Sequence, residues 1–551
     1  MPFGNDKEGE IDKPNKMKNL TYITLLLILF SGCAETEPAK EAPQLPSQPN
    51  IIFMMADDHA FQAISAYGSE LIETPNIDRL AWEGMRFDQG YVTNSICAPS
   101  RAVILTGKFS HLNSVKDNGD VFDSTQVTFP KLLQENGYQT AVVGKWHLKS
   151  EPTGFDYWKI LPGQGMYYQP DFKTSEGKVR EEGYTTDIIT DLAINFIDSI
   201  RDPEKPFMLM YHHKAPHREW WPPMEHLETF MDSMIPEPAT LFDDYQNRGM
   251  AAREAEMRIS EHMGLSNDNK IHPDIVDSLG FKEFIEWYKV AYRNQYDRFT
   301  EAEQMKWDSV YGPINVAFAA GPPVGDSLIQ WKYQRYMQDY LACIQSVDDN
   351  LGRLLLYLDT NGLSENTLII YTSDQGFYLG EHGWFDKRFM YEPSFRTPLI
   401  ARWPAVIEAA SVNTDLVQNI DFASTILDAA GIRPPQEMQG KSLLPLFQKD
   451  SVEWRDALYY HYYEFPGIHM VKRHYGVKTA KHKLIHFYYD IDEWELYDLE
   501  KDPDEIYNVY GDTAYTEIQQ ELHKKLNDLR VQYGDSNDLT QKMLEEDLEQ
   551  D

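Results

Sequence analysis

Six short polar clusters interrupt an otherwise well-mixed chain: Asp57-Asp58, Cys97-Ala98-Pro99-Ser100-Arg101, Lys145-Trp146-His147, the His212 to His217 stretch, Asp374-Gln375 and Asp386-Lys387-Arg388. Asp57, Asp58, Asp374 and Gln375 offer carboxylate and amide oxygens with few nitrogens, a hard donor set that suits Ca²⁺ or Mg²⁺. An isolated Asp pair serves equally well as a turn or helix cap, so the set matters more than the pair. Pro99 suits the first turn of a helix, and Ala102, Val103 and Leu105 supply apolar side chains to pack that helix down. Cys97 then falls at the helix N-terminus, where free N–H groups and the dipole favour an anion. Arg101 follows it by one turn. Lys145 and His147, two apart at a strand end, face the same way if the chain stays extended there.

The elements that must hold these groups are legible as apolar runs. Asn50 to Met55, Thr140 to Val143, Phe207 to Tyr211 and Leu368 to Tyr371 read as strands buried on both faces. Each delivers a polar cluster at its carboxyl end, which is where an α/β sheet places its site. Tyr336, Tyr340, Ile344, Val347, Leu351, Leu354, Leu355 and Leu358 recur at helical spacing ahead of the fourth strand. Residues 224–329 are polar, charged and aromatic without a clear strand, and read as a helical and loop insertion that shapes a pocket. After Gly431 the character changes: strands are predicted at 457–463, 475–479 and 483–488, then 494–499, with a closing amphipathic helix marked by Ile518, Leu522, Leu526 and Leu529. The expected division is a signal segment at 1–32, a tether at 33–48, a catalytic α/β domain at 49–430, and a C-terminal α+β subdomain at 431–551 with a frayed acidic end.

The run Cys97-x-Pro99-Ser100-Arg101-x-x-x-Leu105-Thr106-Gly107 resembles the signature of the type I sulfatases, and Gly376 to Lys387, Arg396 to Ile400 and Glu495 to Glu500 extend the likeness. The resemblance covers residues from about Pro49 to Tyr510. It implies the alkaline phosphatase-like fold, an α/β architecture with a large mixed sheet sandwiched by helices and a smaller C-terminal α+β subdomain. It implies that Cys97 is oxidised by a maturation enzyme to formylglycine, whose hydrate attacks the sulfur of a sulfate ester. One Ca²⁺, with Mg²⁺ as the alternative, would be held by Asp57, Asp58, the residue at 97, Asp374 and Gln375, the last standing where Asn is usual. Arg101, Lys145, His147, His217 and Lys387 match positions that bind sulfate or move protons. His217 or Lys387 would protonate the leaving sugar oxygen, and His147 would act as base in the release of sulfate. His59, His212, His213 and His382 receive no catalytic assignment.

Met17 to Lys18, the apolar Leu20 to Phe30 and Ser31-Gly32-Cys33 read as an export signal too short to span a bilayer. It resembles a bacterial lipoprotein signal, with translation starting at Met17 and Cys33 lipidated; soluble export is the alternative. Cys343 on an apolar helical face is then the remaining thiol, so no disulfide framework is available. The formal net charge of −36 argues against nucleic acid or an anionic membrane face as partner. The substrate expected is a sulfated polysaccharide or its oligosaccharides, with the acidity favouring an algal glycan such as ulvan over glycosaminoglycan or N-acetylglucosamine-type mucin chains. A phosphatase or phosphodiesterase of the same fold would use Thr or Ser and two Zn²⁺, and a non-catalytic glycan-binding lipoprotein would have lost some of these residues. Cys97 and the intact cationic set oppose both.

Overall fold

The structure, a computed structural model, describes residues 48–549. The signal segment, Cys33 and the tether as far as residue 47 lie outside the described residues.

Four strands form the centre of a ten-stranded sheet in the order Thr367–Ser373, Asn50–Ala56, Phe207–His212, Gln139–Lys145. All four run parallel, so their carboxyl ends share one edge. They are the four apolar runs expected from the sequence. Strand Asn50–Ala56 explains the layering: Ile52, Met54 and Ala56 pack with the long helix Asp326–Thr360 on one face. Ile51, Phe53 and Met55 pack on the other against helices Cys97–Thr106 and Asp421–Ala429. Alternation with both faces buried requires helices on both sides, as observed. Leu399–Arg402 joins antiparallel beside Thr367–Ser373, and Asp171–Thr174 joins antiparallel beyond Tyr157–Leu161, which makes the sheet mixed.

A second sheet of four antiparallel strands, Ala457–Tyr462, His474–Thr479, His482–Phe487 and Glu493–Asp498, carries helix Thr516–Gln532. The expected α/β class with a smaller C-terminal α+β portion is therefore correct. The small sheet packs on the loops that follow strand Thr367–Ser373, since Leu458, Tyr460 and Ile485 cluster with Tyr378, Trp384 and Phe389.

Between residues 224 and 329 the chain forms helices Met250–Glu254, Pro273–Ser278, Trp287–Tyr296 and Glu301–Ala320 linked by loops. Two buried lysines organise the loop between them: Lys332 donates to the carbonyls of Ile259, Ser260 and Met263, and Lys270 to that of Asn267. Backbone carbonyls buried in a loop need such donors.

Candidate active site

The polar clusters at the strand ends converge. Cys97 opens helix Cys97–Thr106, and every residue of that helix is buried. Its Sγ lies 3.6 Å from Asp57 Oδ1. Asp58 has a left-handed φ of 65°, which turns its backbone N–H to Asp374 Oδ1 at 3.2 Å. Ligand atoms of Asp57, Asp58, Cys97 and His217 all lie within 4.8 Å of one another, and all four residues are buried. Asp374 stands beside this group, its Oδ2 taken by Arg101 through Nε at 3.1 Å and Nη2 at 2.9 Å. Gln375 Nε2 donates to Asp58 Oδ1, while its Oε1 is buried with no hydrogen-bond partner. Three buried carboxylates and an orphaned amide oxygen fit a hard divalent cation.

Lysines neutralise these carboxylates. Lys145 Nζ pairs with Asp57 Oδ2, and Lys387 Nζ reaches both oxygens of Asp58 at 2.8 and 2.7 Å. Gly144 makes the placement of Lys145 possible. Its φ is 95°, and a Cβ there would lie 1.9 Å from the carbonyl oxygen of His212 on the neighbouring strand. His217 Nε2 is 3.7 Å from Asp58 Oδ2, and its Nδ1 bonds the Arg218 carbonyl oxygen. Nδ1 is therefore the N–H of the neutral ring, and Nε2 is the atom free to accept a proton.

Burial sets the ionisation. It raises the Asp57 carboxyl to about 7, with Asp374 adding to the effect. Burial acts on Asp374 too, but the charges of Arg101 and Lys145 outweigh it and hold that carboxyl below the usual range. Burial and then Lys145 and Lys387 depress His217 well below the usual imidazole value, so it is neutral. The Cys97 thiol is pushed up by burial in spite of the two lysines. An unmodified thiol here is protonated and a poor nucleophile.

His147 corrects one step of the sequence argument. The strand ends at Lys145 and His147 has φ 56°, so the two side chains are not placed on one face by an extended backbone. His147 is nonetheless near the cluster: burial, then Lys145 and Arg101, depress its imidazole. The other histidines serve the frame. His59 Nδ1 is 2.6 Å from Tyr371 Oη, and His382 Nδ1 is 2.7 Å from Arg248 Nη1. Cys343 is core.

Residues 49–432 match the family model described as Sulfatase, and residues 380–532 match the model described as N-sulphoglucosamine sulphohydrolase, C-terminal. The chain belongs to the sulfatase family. This sulfatase is 51% identical over 524 residues to the N-acetylglucosamine-6-O-sulfatase of Bacteroides thetaiotaomicron, covering 93% of this chain and 92% of that one. A solved structure in complex with its substrate D-glucosamine-2-N,6-O-disulfate matches with a TM-score of 0.86 and 52% identity, over 89% of this chain and 99% of the other. An ulvan-active sulfatase of Formosa agariphila is 23% identical over 530 residues, 93% of this chain and 87% of that one. The sulfatase is an enzyme that hydrolyses sulfate esters.

A cavity of about 730 Å³ opens above the cluster, reached by His217 and Lys387. The insertion supplies Asn267, Trp287, Tyr288 and Gln295 to its wall, and the C-terminal portion supplies Glu464 and His469. These, with Arg218 and Glu219, were missed in the sequence, and Lys214 and Arg388 lay inside its polar clusters without a role. Arg388 and Asp386 flank a recognised Lys387, which was a usable signal; nothing local marks Glu464 or His469.

Proposed function

We propose that this sulfatase removes the 6-O-sulfate from glucosamine units, N-acetylated or N-sulfated, of a sulfated glycan. The arrangement that carries the reading is Cys97 at a helix N-terminus, in contact with Asp57 and flanked by Lys145, Lys387 and a neutral His217. The 51% identity across 92% of the N-acetylglucosamine-6-O-sulfatase supports the sugar and position. Ulvan, favoured by acidity alone, has support only from a relative at 23% identity.

Conversion of Cys97 to formylglycine would supply a hydrated aldehyde as the oxygen nucleophile, which the protonated thiol cannot match. Asp57, Asp58, Asp374 and Gln375 would hold a Ca²⁺, whose charge makes a bound hydroxyl more acidic. Arg101 fixes Asp374 and, at 3.7 Å, Asp57, so the carboxylates keep their places without reorganisation. Lys145 and Lys387 provide the positive charge for the sulfate oxygens. His217 Nε2, unprotonated at rest, would accept the proton lost by the attacking hydroxyl and return it to the sugar oxygen as the S–O bond breaks.

The same reading makes the protein an exported lipoprotein anchored through Cys33 and matured by a formylglycine-generating enzyme. Leu20 to Phe30 followed by Ser31-Gly32-Cys33 supports the anchor, and the mass of the mature N-terminus tests it. Sulfate release from N-acetylglucosamine 6-sulfate, glucosamine-2-N,6-O-disulfate and ulvan oligosaccharides tests the substrate. Release from the glucosamine sulfates, abolished in Cys97→Ala, is expected; release from ulvan alone, or undiminished hydrolysis by the variant, would overturn the reading.

A further inference from the structure

The charged groups that line the cavity are, with two exceptions among the described residues, engaged by protein partners. Arg218 is clasped by Asp268 through two bonds of 2.7 Å, Arg388 by Glu464 at 3.0 Å, and Lys387 by Asp58. Lys214 and Glu219 have no hydrogen-bond or ion-pair partner. Lys214 is only 4% exposed, yet it lines the cavity. Its Nζ stands 4.6 Å from the centre of the Tyr167 ring, and Tyr167 is itself pinned by donation of its Oη to the His217 carbonyl at 2.6 Å.

A ring face attracts an ammonium but leaves its N–H donors unfilled. A buried cation with no counter-charge in contact is costly, which shows in Lys214: burial and then the like charge of Lys145 bring it down to about 8, with Glu219 opposing them only in part. Glu219 is half-buried, and burial raises its carboxyl while Lys214 opposes the rise, so the two charges feel each other. A ligand that brought an anion to Lys214 and an adjacent donor to Glu219 would satisfy both. The scissile 6-sulfate already has Lys145, Lys387 and His217.

We infer that Lys214 and Glu219 form a recognition pair for the 2-N-sulfonate of glucosamine, Lys214 binding the sulfonate oxygens and Glu219 accepting from the sulfamate N–H. The inference rests on the glucosamine 6-sulfatase reading above. A sulfamate is a compact group with an anion and an N–H donor on adjacent atoms, whereas an N-acetyl group brings the N–H without the charge. The pair thus makes 2-N,6-O-disulfated glucosamine the preferred substrate over N-acetylglucosamine 6-sulfate.

The test compares kcat/KM for these two sugars in the wild type, Lys214→Met, Lys214→Arg and Glu219→Gln, with thermal unfolding as the check on folding. A charged hydrogen bond lost from a buried site lowers the preference for the N-sulfated sugar roughly 10- to 100-fold in Lys214→Met. Lys214→Arg keeps more of the preference than Lys214→Met, and Glu219→Gln lowers it less than Lys214→Met does. An unchanged ratio overturns the inference. Equal loss on both sugars also overturns it, because Lys214 would then serve the scissile sulfate. Calorimetry with N-sulfoglucosamine lacking the 6-sulfate separates the two readings. Lys214-dependent binding in a protein that cleaves neither 6-sulfate would uphold the pair and refute the 6-sulfatase, and Lys214-independent binding would refute the pair.

Discussion

Gly144→Ala isolates the contact between the two strands that carry Lys145 and lead to His217. Gly144 pairs in register with His212. The added Cβ would lie 1.9 Å from the His212 carbonyl oxygen and 2.9 Å from its carbon, where real Cβ atoms stay beyond 3.0 Å. The strands must part by about 1 Å at the edge where the site is assembled. Forced overpacking costs about 1–3 kcal/mol. The left-handed φ of 95° adds about 1–2 kcal/mol. Reduced freedom of the unfolded chain returns only about 0.4–1 kcal/mol. Gly137→Ala is the internal control, because Gly137 also has a positive φ, 89°, but nothing within 4 Å of its Cβ position. Urea unfolding should place Gly137→Ala within about 1 kcal/mol of wild type, and Gly144→Ala about 2–4 kcal/mol below it. Sulfate release should fall about 100-fold in Gly144→Ala, the cost typical of a 1 Å misplacement. If Gly144→Ala matches Gly137→Ala in stability and keeps wild-type kcat/KM, the close strand approach does not govern the site.

Dialysis against a chelator should abolish sulfate release and lower the thermal midpoint, and added Ca²⁺ should restore both; a midpoint indifferent to chelator and Ca²⁺ would refute the carboxylate cage as a metal site. Burial holds Lys332 at about 8, below its ordinary 10.5, although Glu283 opposes the shift. Between these values the unfolded chain binds a proton that the native state does not, so stability rises with pH across the window and the burial cost is constant below it. The difference in unfolding free energy between wild type and Lys332→Met, followed by urea titration from pH 8 to 10, should therefore grow in favour of wild type; a flat difference would refute the assignment. The net charge of −36 repels an anionic oligosaccharide until salt screens it. Because the Debye length falls from about 30 Å at 0.01 M to about 10 Å at 0.1 M, kcat/KM should rise over that range. A steady fall from the lowest salt would mean that the local cations dominate the encounter.

The central strands were legible because burial on both faces writes them as unbroken apolar runs, as in Ile51 to Met55. The edge strands carry no such signature: Gly177–Arg180 is exposed at every residue, and Ser411–Asn413 is three residues long. Cys97 and the neighbouring carboxylates were legible because each ends a strand or opens a helix, so a local motif contains them. His147 shows the limit of alternation, which lapses where the backbone turns left-handed at φ 56°. Lys214 and Glu219 were passed over for a different reason. Their meaning is the absence of a partner, and partners such as Asp268 for Arg218 lie 50 residues away in sequence. The parallel edge of the sheet holds the groups proposed to act on sulfate, while the cavity wall is built from the 162–171 stretch, the insertion, the His212 to Glu219 segment and the C-terminal portion. On the proposed reading, reaction and sugar selectivity meet in the His212 to Glu219 segment, which carries both His217 and Lys214, and part elsewhere, the first resting on short motifs and the second on packing between distant segments. A sulfate ester could thus be read from one run of residues, whereas the proposed choice among ulvan, N-acetylglucosamine and N-sulfated glucosamine turns on groups that only the folded cavity brings together.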